Sequence, residues 1–466
     1  MKWLLTLLIS CIFGLQLWGQ EPQSIRFEEF QEYVQENHPV MRQAKLLDDQ
    51  ARAYLQKARG NFDPKIYAEL TQKSFGGKRY YQIGDAGIKW PVGFGLTVKS
   101  AYQWSNGIYL NPENNLPLAG QWNLGLELEA LRGLLIDARR TALQQARIMQ
   151  EANANEQEAI INQLMLEAGD QYWHWVYTWR AYAVYAETLA NAEERLQMTR
   201  ERFNQGDLGA LDTVEAWIQQ QSRKNDLLQA ELERTEAQVA LATFLWDDDL
   251  INLELASRLI PIDSDPELTT GLIESNPDLI NQWIANHPIV QQYDYKLQNL
   301  AIDRRWTQEQ LKPSLSLSYQ VLGDGFDLSR SLPDGDLLSA NAKWGIRFGV
   351  PLLLRKERAN LRMVDQKIKM TEYDQQQKEG QLAGKINLYR QKALLEYQQW
   401  EQQNLLVERQ EQLLAGEMEK FRLGSSTLFL INSREQKLIE TRLKVHKLRS
   451  QVGKSITGWK WATYTW

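Results

Sequence analysis

Hydrophobic and polar positions change period several times along this chain, and each change recurs. From Pro313 to Gly323, Leu315, Leu317, Tyr319 and Val321 alternate with Ser314, Ser316, Ser318 and Gln320. A period of two puts alternate side chains on opposite faces of a strand. Ile66, Ala68 and Leu70 alternate in the same way with Tyr67, Glu69 and Thr71. So do Leu96, Val98, Tyr102 and Trp104 with Thr97, Lys99, Ala101 and Gln103. Trp122, Leu124, Leu126 and Leu128 alternate with Asn123, Gly125, Glu127 and Glu129, and Trp344, Ile346, Phe348 and Val350 with Lys343, Gly345, Arg347 and Gly349. A half-buried soluble sheet and a membrane barrel share this pattern, so alternation alone leaves both open.

Two proline-free segments, about Leu134 to Phe203 and about Arg355 to Phe421, read instead as very long helices. At 1.5 Å per residue, ~70 residues extend about 100 Å, deeper than any globular core. They must lie against other helices in a coiled-coil-like wall. Apolar positions are sparse and glutamine is frequent (Gln375 to Gln377, Gln398, Gln399, Gln402, Gln403), which predicts a wet face. Each segment ends in a matched turn, Arg202-Phe203-Asn204-Gln205-Gly206 and Lys420-Phe421-Arg422-Leu423-Gly424, with glycine where a left-handed C-cap needs it. A return helix follows each turn. In the second, Ile431, Leu438, Val445 and Val452 recur at heptad spacing. In the first, Leu211, Ile218, Leu232 and Val239 fit the same register, with Asn225 interrupting.

The chain is therefore two copies of one plan. Glu36-Asn37-His38-Pro39-Val40 returns as Ala285-Asn286-His287-Pro288-Ile289, 249 positions on, and Pro64 and Pro313 share that offset. The glycine turns are only 218 apart, so the first copy holds 31 extra residues. Most fall between Gly76 and Gly120, as longer strands, a longer loop or an added hairpin. The first repeat spans 20–246, with strands about 65–131 and its turn about 202–212. The second spans 287–466, with strands about 313–352 and its turn about 420–430. Residues 247–286 link them and read as small helices outside the main wall. Turn-rich loops lie at Asn111–Gly120 and Gly323–Gly335.

Composition adds exclusions. The 466 residues are 43% hydrophobic and 24% charged, which is globular. A net charge of −6 argues against a nucleic-acid surface. Lys2, the apolar stretch Trp3 to Leu17 and Gly19 form the pattern of a secretory signal peptide over 1–19. An uncleaved anchor is the alternative, and Leu8-Ile9-Ser10-Cys11 resembles a lipoprotein box. Cleavage near Gly19 would leave no cysteine for disulfides or thiolate chemistry. No later stretch offers the ~20 apolar residues of a spanning helix, so any further membrane crossing would need a closed barrel.

The repeated plan of helix, strand pair, very long helix, glycine turn and return helix resembles the TolC-like outer membrane efflux protein family, over essentially the whole mature chain. The matching pieces are the two Asn-His-Pro helix starts, the junctions near Leu131 to Arg140 and Pro351 to Arg358, and the two [Arg/Lys]-Phe-x-x-Gly turns. The resemblance implies a mainly α protein with a transmembrane β section, assembled as a homotrimeric α/β-barrel channel. Each chain would give four strands to a twelve-stranded barrel in outer-membrane lipid, and its helices to a periplasmic tunnel. The turns, through Arg202, Phe203, Gly206, Lys420, Phe421 and Gly424, would meet a periplasmic adaptor fed by an inner-membrane pump. In the family an acid six residues past the turn glycine helps close the tunnel. Asp212 stands there, whereas the second copy has Leu430. Where relatives often carry tyrosine and arginine this chain has Phe421 and Ser426, which shifts the expected closure toward packing of Phe203, Phe421 and Phe429. Trp90, Trp104, Trp122 and Trp344 would form an aromatic girdle at the lipid interface, although a soluble core would accommodate them equally.

Little else suggests chemistry. His38 and His287 precede prolines at helix starts, a structural setting. His174 sits among Trp173, Trp175 and Trp179, which reads as packing. No His/Asp/Glu spacing matches a metal site, Gly93-x-Gly95 lacks the helix a phosphate loop needs, and no nucleophile–base–acid set appears. The expectation is a non-enzyme without cofactor: a passive export conduit of a tripartite efflux or type I secretion system. The competing reading is a periplasmic coiled-coil adaptor or scaffold without a pore, which would need no lipid-facing apolar stripe.

Overall fold

The computed structural model describes residues 23–247, 250–251, 257–262, 265, 268, 272, 276–325 and 341–466. The expected signal peptide and Cys11 lie outside these residues, as do most of the Gly323–Gly335 loop and much of the 247–286 link. In chain order the elements are β1 (Gln23–Ile25), α1 (Phe27–Asn37), α2 (Pro39–Gly60), β2 (Lys65–Phe75), β3 (Lys78–Gly93), β4 (Leu96–Asn106) and β5 (Gln121–Glu129). The two long antiparallel-reading helices of the first copy follow, α3 (Ala138–Asn204) and α4 (Ala210–Ala242). Short strands β6 (Trp246–Asp247), β7 (Leu250–Ile251) and β8 (Leu259–Pro261) lead to α5 (Pro277–Asn286), α6 (Pro288–Glu309), β9 (Ser314–Asp324), β10 (Ala342–Gly349), α7 (Arg355–Arg422) and α8 (Leu428–Thr463). The described part of the link therefore holds short strands as well as helix.

Two compact units divide these elements. One comprises Lys45–Gln157 and Pro288–Glu379. It contains a six-stranded sheet in the order β10-β9-β5-β4-β3-β2, antiparallel throughout. Among the described residues this sheet holds six strands, which corrects the expected four. Within the described residues the first copy supplies four strands and the second two. The extra residues of the first copy are thus an added strand pair. β2 follows α2 as β9 follows α6, and β5 precedes α3 as β10 precedes α7, which leaves β3 and β4 without counterparts.

Turn chemistry explains the pairing. Gly76 and Gly77 both have positive φ, 60° and 72°, and join β2 to β3 in a two-residue hairpin. Gly93, Phe94 and Gly95 make the next turn, all with positive φ. α3 starts later than the sequence predicted, because Asp137 caps it. The Asp137 carboxylate accepts from the Arg140 amide at 2.8 Å, and residues before it form an irregular bridge from the sheet. That bridge is tied down by the buried Glu309 carboxylate, which accepts from the Gly133 amide at 3.3 Å and pairs with Lys312 at 2.6 Å.

The other unit comprises the described part of Met1–Ala44 with Glu158–His287 and Gly380–Trp466. Its core is aromatic. Phe27 and Phe30 of α1 pack on Tyr172, with Trp173, Trp175 and Leu241 completing the cluster. β1 pairs in parallel with β8 beside it. α8 is buried along most of its length, because it carries small residues where neighbours carry rings. A Cβ on Gly453 would collide with the Trp173 indole, and one on Gly458 with the Tyr389 ring. Overpacking of this kind costs about 1–3 kcal/mol. Gly453→Ala is expected to lower the unfolding temperature measurably by circular dichroism, while Gly416→Ala, with open space around it, is not. Burial also acts on charge: it raises the Asp170 carboxyl and lowers the Lys454 ammonium, and the attraction between the two opposes both shifts.

Candidate functional site

Register carries the alternation of single strands across the entire sheet. On one face, Ile88 of β3 aligns with Ser100, Leu124, Val321 and Ala342 of successive strands. The next such row reads Trp90, Val98, Leu126, Tyr319 and Trp344, and a third reads Leu96, Leu128, Leu317 and Ile346. With Ile66 of β2 opposite Ile88, all six strands contribute to one apolar face, and it is exposed: Leu124 and Leu126 at 50%, Ile346 at 65%. A water-soluble sheet would cover such a face with helices. Trp90, Trp104 and Trp344 are exposed on it, and Trp122 is partly covered. Trp104 lies across Gly84 of the neighbouring strand, supplying the apolar surface that glycine lacks.

The opposite face is polar. One register row carries Lys65, Lys89, Lys99, Gly125, Gln320 and Lys343. Like charges directly opposite one another destabilise a sheet. Lys99 pairs across the strands with Glu127, at 2.5 Å. A second row, Glu69, Asp85, Gln103, Gln121 and Asp324, is acidic, and the Gln103 amide donates to Asp85 at 3.1 Å.

The two glycine turns have one backbone geometry. In the first, the Asp207 amide donates to the Arg202 carbonyl at 2.9 Å and the Gly206 amide to Phe203 at 3.0 Å. In the second, Ser425 donates to Lys420 at 2.8 Å and Gly424 to Phe421 at 3.1 Å. Both are Schellman motifs, with φ of 85° at Gly206 and 74° at Gly424. No neighbour crowds either glycine, so only backbone strain opposes a side chain. Gly424→Ala is expected to cost about 1–2 kcal/mol and to speed protease cleavage of the turn, with Gly424→Asn costing less.

No protein-family model and no curated protein matches the sequence. Solved structures do. The outer-membrane channel OprN matches with a TM-score of 0.69 at 15% identity, over 94% of this chain and 89% of that one. The Campylobacter jejuni CmeC outer membrane channel matches at 0.68 and 14% identity, over 96% and 90%. The open state of the Neisseria gonorrhoeae MtrE outer membrane channel matches at 0.65 and 14% identity, over 94% and 88%. The fold is that of a TolC-like outer-membrane channel.

Within this channel fold the turn residues take distinct positions. Phe421 is half-buried against Leu196, Ala216 and Leu428, and the Arg202 guanidinium stacks over its ring at 5.0 Å. Phe203 and Phe429 stay exposed, at 42% and 68%, and do not join that cluster. The chain thus brings together Arg202 and Phe421 but not the expected trio of phenylalanines. Asp212 accepts the Gly209 amide at 2.9 Å and so caps its own helix. Ser426 donates to Glu417 at 2.5 Å.

Sequence reasoning missed the polar locks of the helical wall. Arg195 is clamped by both Glu435 oxygens, at 2.6 and 2.9 Å, and reaches Asn432 at 3.1 Å. Arg442 joins Glu187 at 2.9 Å and Glu411 at 2.6 Å. The available signal was the seven-residue spacing of Glu435, Arg442 and Arg449 beside the apolar seam. His287 is fully buried beside Asn162 and Trp461, and burial lowers His38 and His174. Among the described residues, no group of three His, Cys, Asp or Glu side chains is placed to hold a metal ion, and no helix is long and apolar enough to cross a membrane.

Proposed function

We propose that this chain is the outer-membrane channel of an export system, working as a homotrimer whose sheets form a pore through the outer membrane and whose helices reach into the periplasm. The observation that carries this reading is the exposed apolar face continuous over all six strands, backed by a polar face. Lipid on one side and water on the other is the setting in which such a sheet is stable. Export is passive. The glycine turns, with Arg202, Phe203, Gly206, Lys420, Phe421 and Gly424, form the end that a periplasmic adaptor grips, and an inner-membrane pump supplies energy. Closure of that end would act through Asp212, Phe421 and Phe429. Trp90, Trp104, Trp122 and Trp344 mark the lipid interface. No observation favours the adaptor reading. Outer-membrane fractionation tests the proposal: a band that migrates as an oligomer unheated and as a monomer after boiling supports it, together with conductance in planar bilayers. A freely soluble monomer would end it.

A further inference from the structure

A closed barrel gives every strand two neighbours, but β2 and β10 have one each. β2 is exposed along all eleven residues and β10 along most of its eight. Unpaired amide and carbonyl groups are not tolerated in hydrocarbon, so both edges require a partner strand. They suit each other. Direction alternates from β10 to β2, so β2 of one copy beside β10 of the next continues the antiparallel order. The apolar residues Ile66, Ala68 and Leu70 then fall on the same side as Trp344, Ile346 and Phe348. The helical unit is open in the same sense: α4 leaves Leu211, Ile218, Leu232 and Val239 exposed, as a surface awaiting another helix does.

Building on the channel reading above, we propose that three copies of this chain close an eighteen-stranded barrel, β2 against β10, and that the inserted pair β3 and β4 widens the pore for bulky hydrophilic solutes. The inserted strands belong to the wall. Although Ser100 is polar on that face of β4, Ala86, Ile88, Trp90, Val98 and Tyr102 align with the apolar-face residues of the neighbouring strands. With strands ~4.8 Å apart and tilted about 40°, each takes about 6.3 Å of circumference. Eighteen strands give a backbone radius of about 18 Å, against about 12 Å for twelve. After ~6 Å of side chain on the inside, the open cross-section is roughly four times larger.

The test uses the full chain and a variant lacking residues 76–120, which retains four strands. Purified oligomers in planar bilayers are probed with polyethylene glycols added from the barrel side. Polymers of about 10 Å hydrodynamic radius are expected to enter the full-length pore and to be excluded from the shortened one, whose conductance falls at least about twofold. Cysteines introduced at Ala68 and Ile346, each scanned one pleat either way, are expected to cross-link into a covalent trimer. A polymer cut-off below about 6 Å for the full chain, an unchanged cut-off in the shortened variant, or a closed ring of two copies would overturn the wide barrel while leaving the channel intact. Loss of all conductance from the full chain would instead remove the channel reading and this proposal with it. If the shortened variant fails to assemble, the cross-linked copy number and the full-length cut-off decide alone.

Discussion

Leu124→Arg is expected to abolish the heat-resistant oligomer proposed for outer-membrane fractions, whereas Gln320→Arg is expected to preserve it. Leu124 lies in the middle of β5 on the apolar face, at 50% exposure. It is flanked across the strands by Ser100 and Val321. Arginine on the lipid face near the bilayer midplane costs roughly 2–4 kcal/mol, and every copy in the ring bears that cost. Gln320 is on the adjacent strand at nearly the same level but on the polar face, beside Gly125. An added charge there remains hydrated. The measurement is a gel comparison of unheated and boiled membrane extracts. Equal assembly of the two variants would mean that the apolar face does not contact lipid.

Breaking one buried ion pair should be costly, and removing both of its charges should restore most of the loss. Arg195 and Glu435 retain 7% and 4% side-chain exposure, and the carboxylate accepts two guanidinium bonds. Glu435→Leu leaves Arg195 charged and dry, with a hydrogen bond to Asn432 in place of the paired carboxylate. Such a loss is typically about 3–5 kcal/mol, while replacing both partners by apolar groups is often neutral. The expected order in thermal unfolding is therefore Glu435→Leu least stable, with Arg195→Met/Glu435→Leu close to the parent. A double variant as unstable as the single would show that packing, and not an orphaned charge, sets the effect.

How much of this was legible beforehand differs by feature. The alternation of β4, β5, β9 and β10 and the glycine turns could be read from residue types alone. β3 could not. Its stretch Ile83-Gly84-Asp85-Ala86-Gly87-Ile88 contains two glycines and an alanine, so hydrophobic bulk disappears where the period should show. The bulk is supplied by Trp104 from the next strand, a contact between residues far apart in the chain. Gly76-Gly77 was the remaining clue, because a glycine pair between two runs signals a hairpin. The heptads show a second limit. Ile431, Leu438, Val445 and Val452 are buried, while Leu211, Ile218, Leu232 and Val239 in the same spacing are exposed. Periodicity reveals that a helix has a seam, not whether its partner is in the same molecule. The lysine row was invisible for a related reason: Lys65, Lys89, Lys99 and Lys343 become neighbours only through strand register.

In the proposed trimer, the duplicated turns and the unequal strand counts impose two different symmetries. Three copies present six backbone turns of one shape, so an approaching partner encounters a near-sixfold pattern. Only side chains break it, with Asp207 and Asp212 in one turn answered by Ser425 and Leu430 in the other. In the sheet, four strands against two leave no such pseudo-equivalence, and a wall closed by three copies would be strictly threefold. A docking protein could therefore bind two copies of itself per subunit with small adjustments, while anything recognising the membrane wall would find three sites.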